Sequence, residues 1–204
     1  MGFYRDRIVP PIIDLVMRNP EATKRRGVLV PQASGRVLEI GSGSGLNLCF
    51  YSPGVTELVA VEPSAKLAAM TRAKTPGLPF PVQVLERSAE ELPLDDRSID
   101  TIVMTWVLCS IPDPVRALRE MRRVLKPAGR LLFVEHGLAP DPGVRMWQQR
   151  LNPLWCRISG GCNMNRPVED LVRTGGFRLG TLERFYLKGV RLLSATYEGA
   201  ALPA

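Results

Sequence analysis

Four residues in one short run, Glu39, Gly41, Gly43 and Gly45, carry the first chemistry the sequence offers. Glycines at alternate positions let a backbone turn through positive φ and bring N–H groups against a ligand, because no Cβ stands in the way. The apolar run Val37-Leu38-Glu39-Ile40 precedes them and the helix-competent Leu46-Asn47-Leu48-Cys49-Phe50 follows, so the glycines sit where a strand hands over to a helix. That is the position of a nucleotide-edge loop. The dinucleotide fingerprint G-x-G-x-x-G needs a glycine where this chain has Leu46. Glu39 points the same way, since a carboxylate repels a pyrophosphate and attracts an ammonium group. The expected ligand carries a cation and not phosphates.

A second acid follows at the end of Leu58-Val59-Ala60-Val61-Glu62, a buried-strand pattern, where a carboxylate is placed to take both hydroxyls of a ribose. Further along come Ser88-Ala89-Glu90-Glu91-Leu92-Pro93, Ser98-Ile99-Asp100-Thr101-Ile102-Val103-Met104 and Leu125-Lys126-Pro127-Ala128-Gly129-Arg130. Taken in order, these stretches resemble the motifs of class I S-adenosylmethionine-dependent methyltransferases. The resemblance implies S-adenosylmethionine as cofactor and S-adenosylhomocysteine as product. It places Glu39, Gly41, Ser42, Gly43 and Gly45 around the methionine moiety, Glu62 and Pro63 at the ribose, Ser88, Ala89 and Glu90 at the adenine edge, and Thr105 among the cofactor contacts. Many relatives have aspartate where this chain has Ser88, which leaves Ser88 or Glu90 to receive the adenine amino group.

After the fourth strand the chain reads Met104-Thr105-Trp106-Val107-Leu108-Cys109-Ser110. Enzymes that methylate exocyclic amines of nucleic-acid bases carry D/N-P-P-Y/F/W here, to grip a flipped base. Its absence argues against a nucleic-acid substrate despite a net charge of +7. His136, the one histidine of the chain, ends the fifth strand and is the candidate catalytic proton acceptor. Trp106, Trp147 and Trp155 are expected to converge on the acceptor together with Arg145, and the arginine-rich stretch suits a neutral, thiolate or phosphate-bearing acceptor better than an amine. Glu135-His136, Trp147-Gln148-Gln149, Pro153-Leu154-Trp155, Gly161-Cys162-Asn163 and Leu108-Cys109-Ser110 together resemble the small thiol methyltransferase-like proteins, within the wider group that includes ubiquinone and menaquinone methyltransferases. That resemblance implies methyl transfer to a small thiol or similar amphipathic acceptor. Phosphatidylethanolamine N-methylation and quinone C-methylation are the alternatives within the class. Outside it stand a non-catalytic cofactor-binding protein and an NAD-dependent oxidoreductase, the latter disfavoured by Leu46 and Glu39.

The elements that must position these residues alternate between apolar strands at 36–40, 58–62, 82–86, 99–104 and 130–134 and helical segments opened by Ser64 and by Asp113-Pro114. This is an α/β pattern, and the resemblance implies a three-layer Rossmann-like fold with a mostly parallel seven-stranded sheet, order 3-2-1-4-5-7-6, and a helical cap. Leu179–Arg184 and Arg191–Tyr197 are the candidates for the final strand pair. At 204 residues, 45% hydrophobic and 23% charged, one domain over 1–204 suffices. Within it, 36–135 reads as the cofactor-binding core, 137–166 as the acceptor cap and 167–204 as the C-terminal helix and strand pair. Residues 1–30 read as helical and basic, with Tyr4, Ile8, Ile12, Leu15 and Val16 at helical spacing beside Arg5, Arg7, Arg18 and Lys24-Arg25-Arg26. A lid on the cofactor site and a membrane-surface element both fit that pattern.

Neither a spanning segment nor a signal peptide is present in the sequence, so the expected location is cytoplasmic, with peripheral membrane contact left open. Cys49, Cys109, Cys156 and Cys162 form no C-x-x-C pair, and no metal site or disulfide framework is expected of them. The partner expected is a small-molecule acceptor, and no oligomeric state follows from the residues.

Overall fold

The computed structural model describes residues 9–204; Tyr4, Arg5, Arg7 and Ile8 of the basic N-terminal reading lie outside the described residues. Seven strands, β1 (Gly35–Ile40), β2 (Val55–Val61), β3 (Val82–Leu85), β4 (Ile99–Thr105), β5 (Leu125–His136), β6 (Phe177–Tyr186) and β7 (Ala195–Pro203), form one sheet in the order β3-β2-β1-β4-β5-β7-β6. The first five are mutually parallel, and β7 runs antiparallel to both its neighbours. Strand alternation sorts the core onto two faces. Leu38, Ile40, Ile102, Met104, Leu131 and Phe133 pack under helix α4 (Pro114–Val124) and helix α6 (Val168–Thr174), whereas Val37, Leu58, Val103, Leu132 and Val134 pack with Leu29, Val30, Tyr51 and Phe80. Helices on both faces of the parallel strands give the three layers.

Local signals set the helix starts. Asn19 caps helix α2 (Pro20–Leu29) by accepting from the Ala22 N–H, Ser64 caps helix α3 (Ala65–Arg72) through Leu67, and Asp113 caps α4 through Arg116. Helix α1 (Val9–Met17) precedes them, and Pro10-Pro11 lies in its first turn, where a missing N–H costs nothing.

Two expectations are corrected. Arg191–Ser194 is a helical turn, α7, and the last strand begins only at Ala195, because Val190 and Arg191–Ser194 fold back to close the loop from β6. Leu46–Phe50 forms no regular helix but a single 3-10 turn at Leu48–Phe50, since Asn47 and Tyr51 are drawn into side-chain bonds with Glu39.

The cap is helix α5 (Pro142–Ile158) and the turn after it. One buried side chain fastens it: Gln148 accepts from the Ala139 N–H at 2.7 Å and donates to the carbonyls of Gly137, Met164 and Leu192 at 2.9 to 3.1 Å. On the N-terminal side, Arg25 lies 3.9 Å from the Phe185 ring centre and pairs with Glu198, so α2 is bound to the β6–β7 edge. No helix among the described residues is long and apolar enough to cross a membrane.

Candidate active site

A cleft opens over the carboxyl ends of β1, β2 and β4, where a parallel sheet leaves its strand-to-helix loops. Gly41, Ser42, Gly43 and Ser44 line it from the first loop, and Gly41 and Gly43 have φ of 65° and 57°, backbone that a side chain strains. A Cβ on Gly41 would strike Val107, whereas one on Gly43 would enter open space in the loop's concave side. Gly45, also left-handed, packs inward against Leu48 and Thr71 and is not part of the lining. Its role is to turn the chain.

Glu62 ends β2 and faces the cleft beside Pro63. Its two oxygens accept N–H bonds from Gly43 and Ser64, both at 2.9 Å, which ties the acid to the glycine loop. Burial raises its pKa against those two bonds, and each oxygen keeps a lone pair for a further donor. Ser88 and Ala89 line the next stretch of the cleft. Glu90 does not; its carboxylate accepts from the Ser88 hydroxyl at 2.7 Å and from the Asp113 N–H at 2.6 Å. Of the two candidates for the adenine edge, Ser88 lines the cleft and Glu90 braces Ser88 against the start of α4.

Glu39 stands one layer further back. It is buried behind the lining, where it accepts from Asn47 Nδ2 at 2.8 Å and from the Tyr51 hydroxyl at 3.0 Å. Burial pushes its pKa up to about 7, while those two bonds and the nearby Arg26 guanidinium hold it down. Asn47 takes its place on the cleft wall, with Nδ2 also 3.1 Å from Thr105 Oγ1 and with a buried Oδ1 that has no partner.

Arg26 is the residue that sequence reasoning missed. Assigned by its neighbours to a basic surface, it is 4% exposed, lines the cleft, donates to the Met17 carbonyl at 2.7 Å and lies 5.0 Å from the Trp106 ring centre. Burial lowers its pKa and Glu39 opposes that shift. Its Nε is buried without a partner. The cleft wall thus holds an unpaired acceptor on Asn47 and an unpaired cationic donor on Arg26, a pair suited to an ammonium and a carboxylate respectively.

Helix α1 closes the upper side: Ile13, Asp14 and Met17 line the cleft, and the Ser44 hydroxyl donates to Asp14. Its Ile12, Leu15 and Val16 remain exposed. Across from it, Thr105, Trp106 and Val107 line the cleft at the end of β4. Trp106 has φ of 51°, left-handed backbone for a bulky residue, and the turn is held by Glu135, whose buried carboxylate accepts from the Val107 and Leu108 N–H groups at 2.9 and 3.1 Å. Burial raises Glu135 to about 8.

The cap residues depart from expectation. Trp147 is 49% exposed and stands beside Arg150, Trp155 lies outside the lining, and Arg145 is exposed with Nε on the Ala139 carbonyl. Trp147, Leu151, Leu154 and Ile158 share one outward stripe of α5, since Gln148 must face inward and fixes the rotation of the helix. Only Trp106 of the three tryptophans reaches the cleft. His136 is not in the lining either; its Nε2 lies 3.2 Å from Cys162 Sγ. Cys109 adjoins the same pair, and its contact together with burial pushes the Cys162 thiol upward. The fold thus gathers three residues that the sequence keeps far apart.

Residues 38–133 match the family model of a methyltransferase domain. Thiol S-methyltransferase TMT1B of Homo sapiens is 38% identical over 158 residues, covering 74% of this chain and 64% of that protein. Thiol S-methyltransferase TMT1A of Homo sapiens is 35% identical over 67% of this chain and 57% of its own length, so the chain spans roughly three fifths of these relatives. Among solved structures, an S-adenosylmethionine-dependent methyltransferase from Thermotoga maritima superposes with a TM-score of 0.68 at 23% identity, over 98% of this chain and 99% of that one, a likeness of fold. The glycine loop, the acid after β2 and the strand order agree with these matches, which together support a class I S-adenosylmethionine-dependent methyltransferase close to the thiol methyltransferase group.

Proposed function

We propose that this protein transfers a methyl group from S-adenosylmethionine to a small thiol. The observation that carries the reading is the 38% identity to a thiol S-methyltransferase over 158 residues, which extends well beyond the core at 38–133. When bound, the cofactor supplies a methyl group on a sulfonium centre, electrophilic toward a nucleophile in line with it.

The residues of the cleft fit that cofactor. Asn47 Oδ1, backed by Glu39, accepts from the α-ammonium, and Arg26 Nε donates to the α-carboxylate, which satisfies both unpaired buried atoms. Gly41, Ser42 and Gly43 admit the chain between those ends. Glu62 takes the ribose hydroxyls with its remaining lone pairs, Pro63 packs beside it, and Ser88 with Ala89 bounds the adenine. Thr105 orients Asn47.

Trp106, Val107, Ser110 and Ile111 wall the part of the cleft beyond Thr105, where the acceptor is placed. A free thiol with a pKa of about 8.5 is already partly ionised at neutral pH, so holding its sulfur in line supplies much of the rate without a protein base. His136 is accordingly not assigned that task, because Cys162 engages its Nε2. Helix α1 acts as a lid that excludes water. The decisive experiment incubates the protein with methyl-labelled S-adenosylmethionine and a panel of small thiols, quinols, amines and phosphatidylethanolamine. Labelled thioether as the principal product supports the proposal, and label confined to a lipid headgroup, quinol or amine refutes it.

A further inference from the structure

Cys109, His136 and Cys162 come from three separate elements: the turn after β4, the last position of β5 and the turn after α5. Their ligand atoms, two thiol sulfurs and an imidazole nitrogen, all lie within 4.8 Å of one another, and they are the one such cluster among the described residues. We propose that these three side chains bind a zinc ion, joining the β4 turn, the end of β5 and the cap turn.

Three features support this. The first is distance. A tetrahedral zinc with bonds of about 2.3 Å to sulfur and about 2.0 Å to nitrogen holds its ligand atoms roughly 3.5 Å apart, and His136 Nε2 is already 3.2 Å from Cys162 Sγ. The second is chemistry. Two sulfurs and a nitrogen, with no carboxylate in the cluster, select a soft or borderline transition metal over magnesium or calcium. The third is scaffolding. Asn163 donates from its N–H and from Nδ2 to the Cys109 carbonyl at 2.9 and 3.1 Å, locking the two cysteine-bearing turns together. Pairing with Thr196 on β7 fixes the backbone of His136. The other ring nitrogen, His136 Nδ1, is buried without a partner, so the imidazole has no competing bond that orients it elsewhere.

Binding converts both thiols to thiolates and releases two protons to solvent, with no change in oxidation state. Three protein ligands leave the fourth tetrahedral position to water, which His136 and Cys162, both only partly buried, allow to enter. The site lies just behind the cleft, since the Cys109 sulfur is 3.4 Å from the hydroxyl of Ser110, a lining residue.

The test measures the metal directly and needs no turnover. Full-length protein, reduced, loaded with zinc and passed through a desalting column should retain about one equivalent per chain. Cobalt in its place should give the thiolate-to-metal charge transfer and visible bands of a tetrahedral site. C109S, C162S and H136A should each lose most of the metal, whereas C49S should keep it. Because a variant can fail through misfolding, the wild type supplies a second readout: zinc should shield half-buried Cys162 from alkylation and leave exposed Cys49 reactive. No retained zinc and no cobalt bands, zinc held equally by a C109S/C162S double variant, or a Cys109–Cys162 disulfide in the freshly isolated protein that persists under zinc loading would each overturn the proposal.

Discussion

Asn47 lines the cleft with Glu39 behind it, its Nδ2 2.8 Å from the carboxylate and its buried Oδ1 without a partner. In the proposed binding mode the acid of the glycine motif acts through that amide. Asn47→Ala should weaken S-adenosylmethionine binding at least about tenfold, the scale of one lost bond to a charged group, and Arg26→Met should do as much by removing the carboxylate's partner. Titration calorimetry measures both; unchanged affinity in both variants would remove the assigned orientation of the methionine moiety.

Glu39 makes stability depend on pH. Its pKa is about 7 in the folded chain against an ordinary 4.5, so the folded state holds the proton more tightly. As pH rises from 4.5 toward 7, the unfolded chain ionises first and unfolding becomes progressively easier, an effect that levels off above about 7. Glu39→Gln should flatten that fall. Urea unfolding from about pH 5 to about pH 8 compares the slopes.

Gly43 and Glu62 are expected to fail in different ways. Gly43→Val puts a branched side chain at φ 57°, which strains the loop and fills the space meant for the cofactor. Binding should become undetectable. Glu62→Ala removes the ribose acceptor and frees the Gly43 and Ser64 N–H groups, with an expected loss of about 10- to 100-fold in affinity. Circular dichroism of both variants should show the fold retained.

Trp106→Ala should lower kcat or raise the acceptor KM, since Trp106 walls the cleft and stacks near Arg26. Trp147→Ala should leave both within about twofold, because that side chain points to solvent. A large kinetic defect in the second variant alone would mean that the acceptor binds on the outer face of the cap.

Asp14→Ala cuts the bond from the Ser44 hydroxyl and should speed cofactor release several-fold while leaving Glu62-dependent discrimination of the ribose intact. Stopped-flow displacement of bound S-adenosylhomocysteine reads the rate. An unchanged release rate would show that α1 does not act as a lid.

What the sequence made legible was whatever a short segment determines by itself. Gly41, Gly43 and Glu62 owe their places to a strand and the turn that leaves it, and both signals lie within a few residues of each other. The strand order followed from the family resemblance and agrees with the structure. Arg26 was hidden because Lys24-Arg25-Arg26 reads as a solvated run, although helical rotation sends Arg25 to Glu198 and Arg26 into the cleft. That Trp147 and Trp155 lie outside the cleft lining was hidden for the opposite reason: nothing local to α5 reveals that Gln148, a polar residue, is the one facing inward. Cys109, His136 and Cys162 meet only through sheet topology, which no spacing rule encodes.

The four backbone groups gripped by Gln148 also decide the direction of traffic. They belong to the β5 exit, the cap turn and α7, so swinging α5 outward would break all of these bonds together in a buried place, at a cost of several kcal/mol. The N-terminal helix is held to the glycine loop by the Asp14–Ser44 pair and to α2 by the bond from Arg26 to the Met17 carbonyl, fewer bonds than Gln148 makes. If α1 is the lid proposed above, exchange of spent for fresh cofactor would pass under it, with the cap riding on the sheet as a fixed wall.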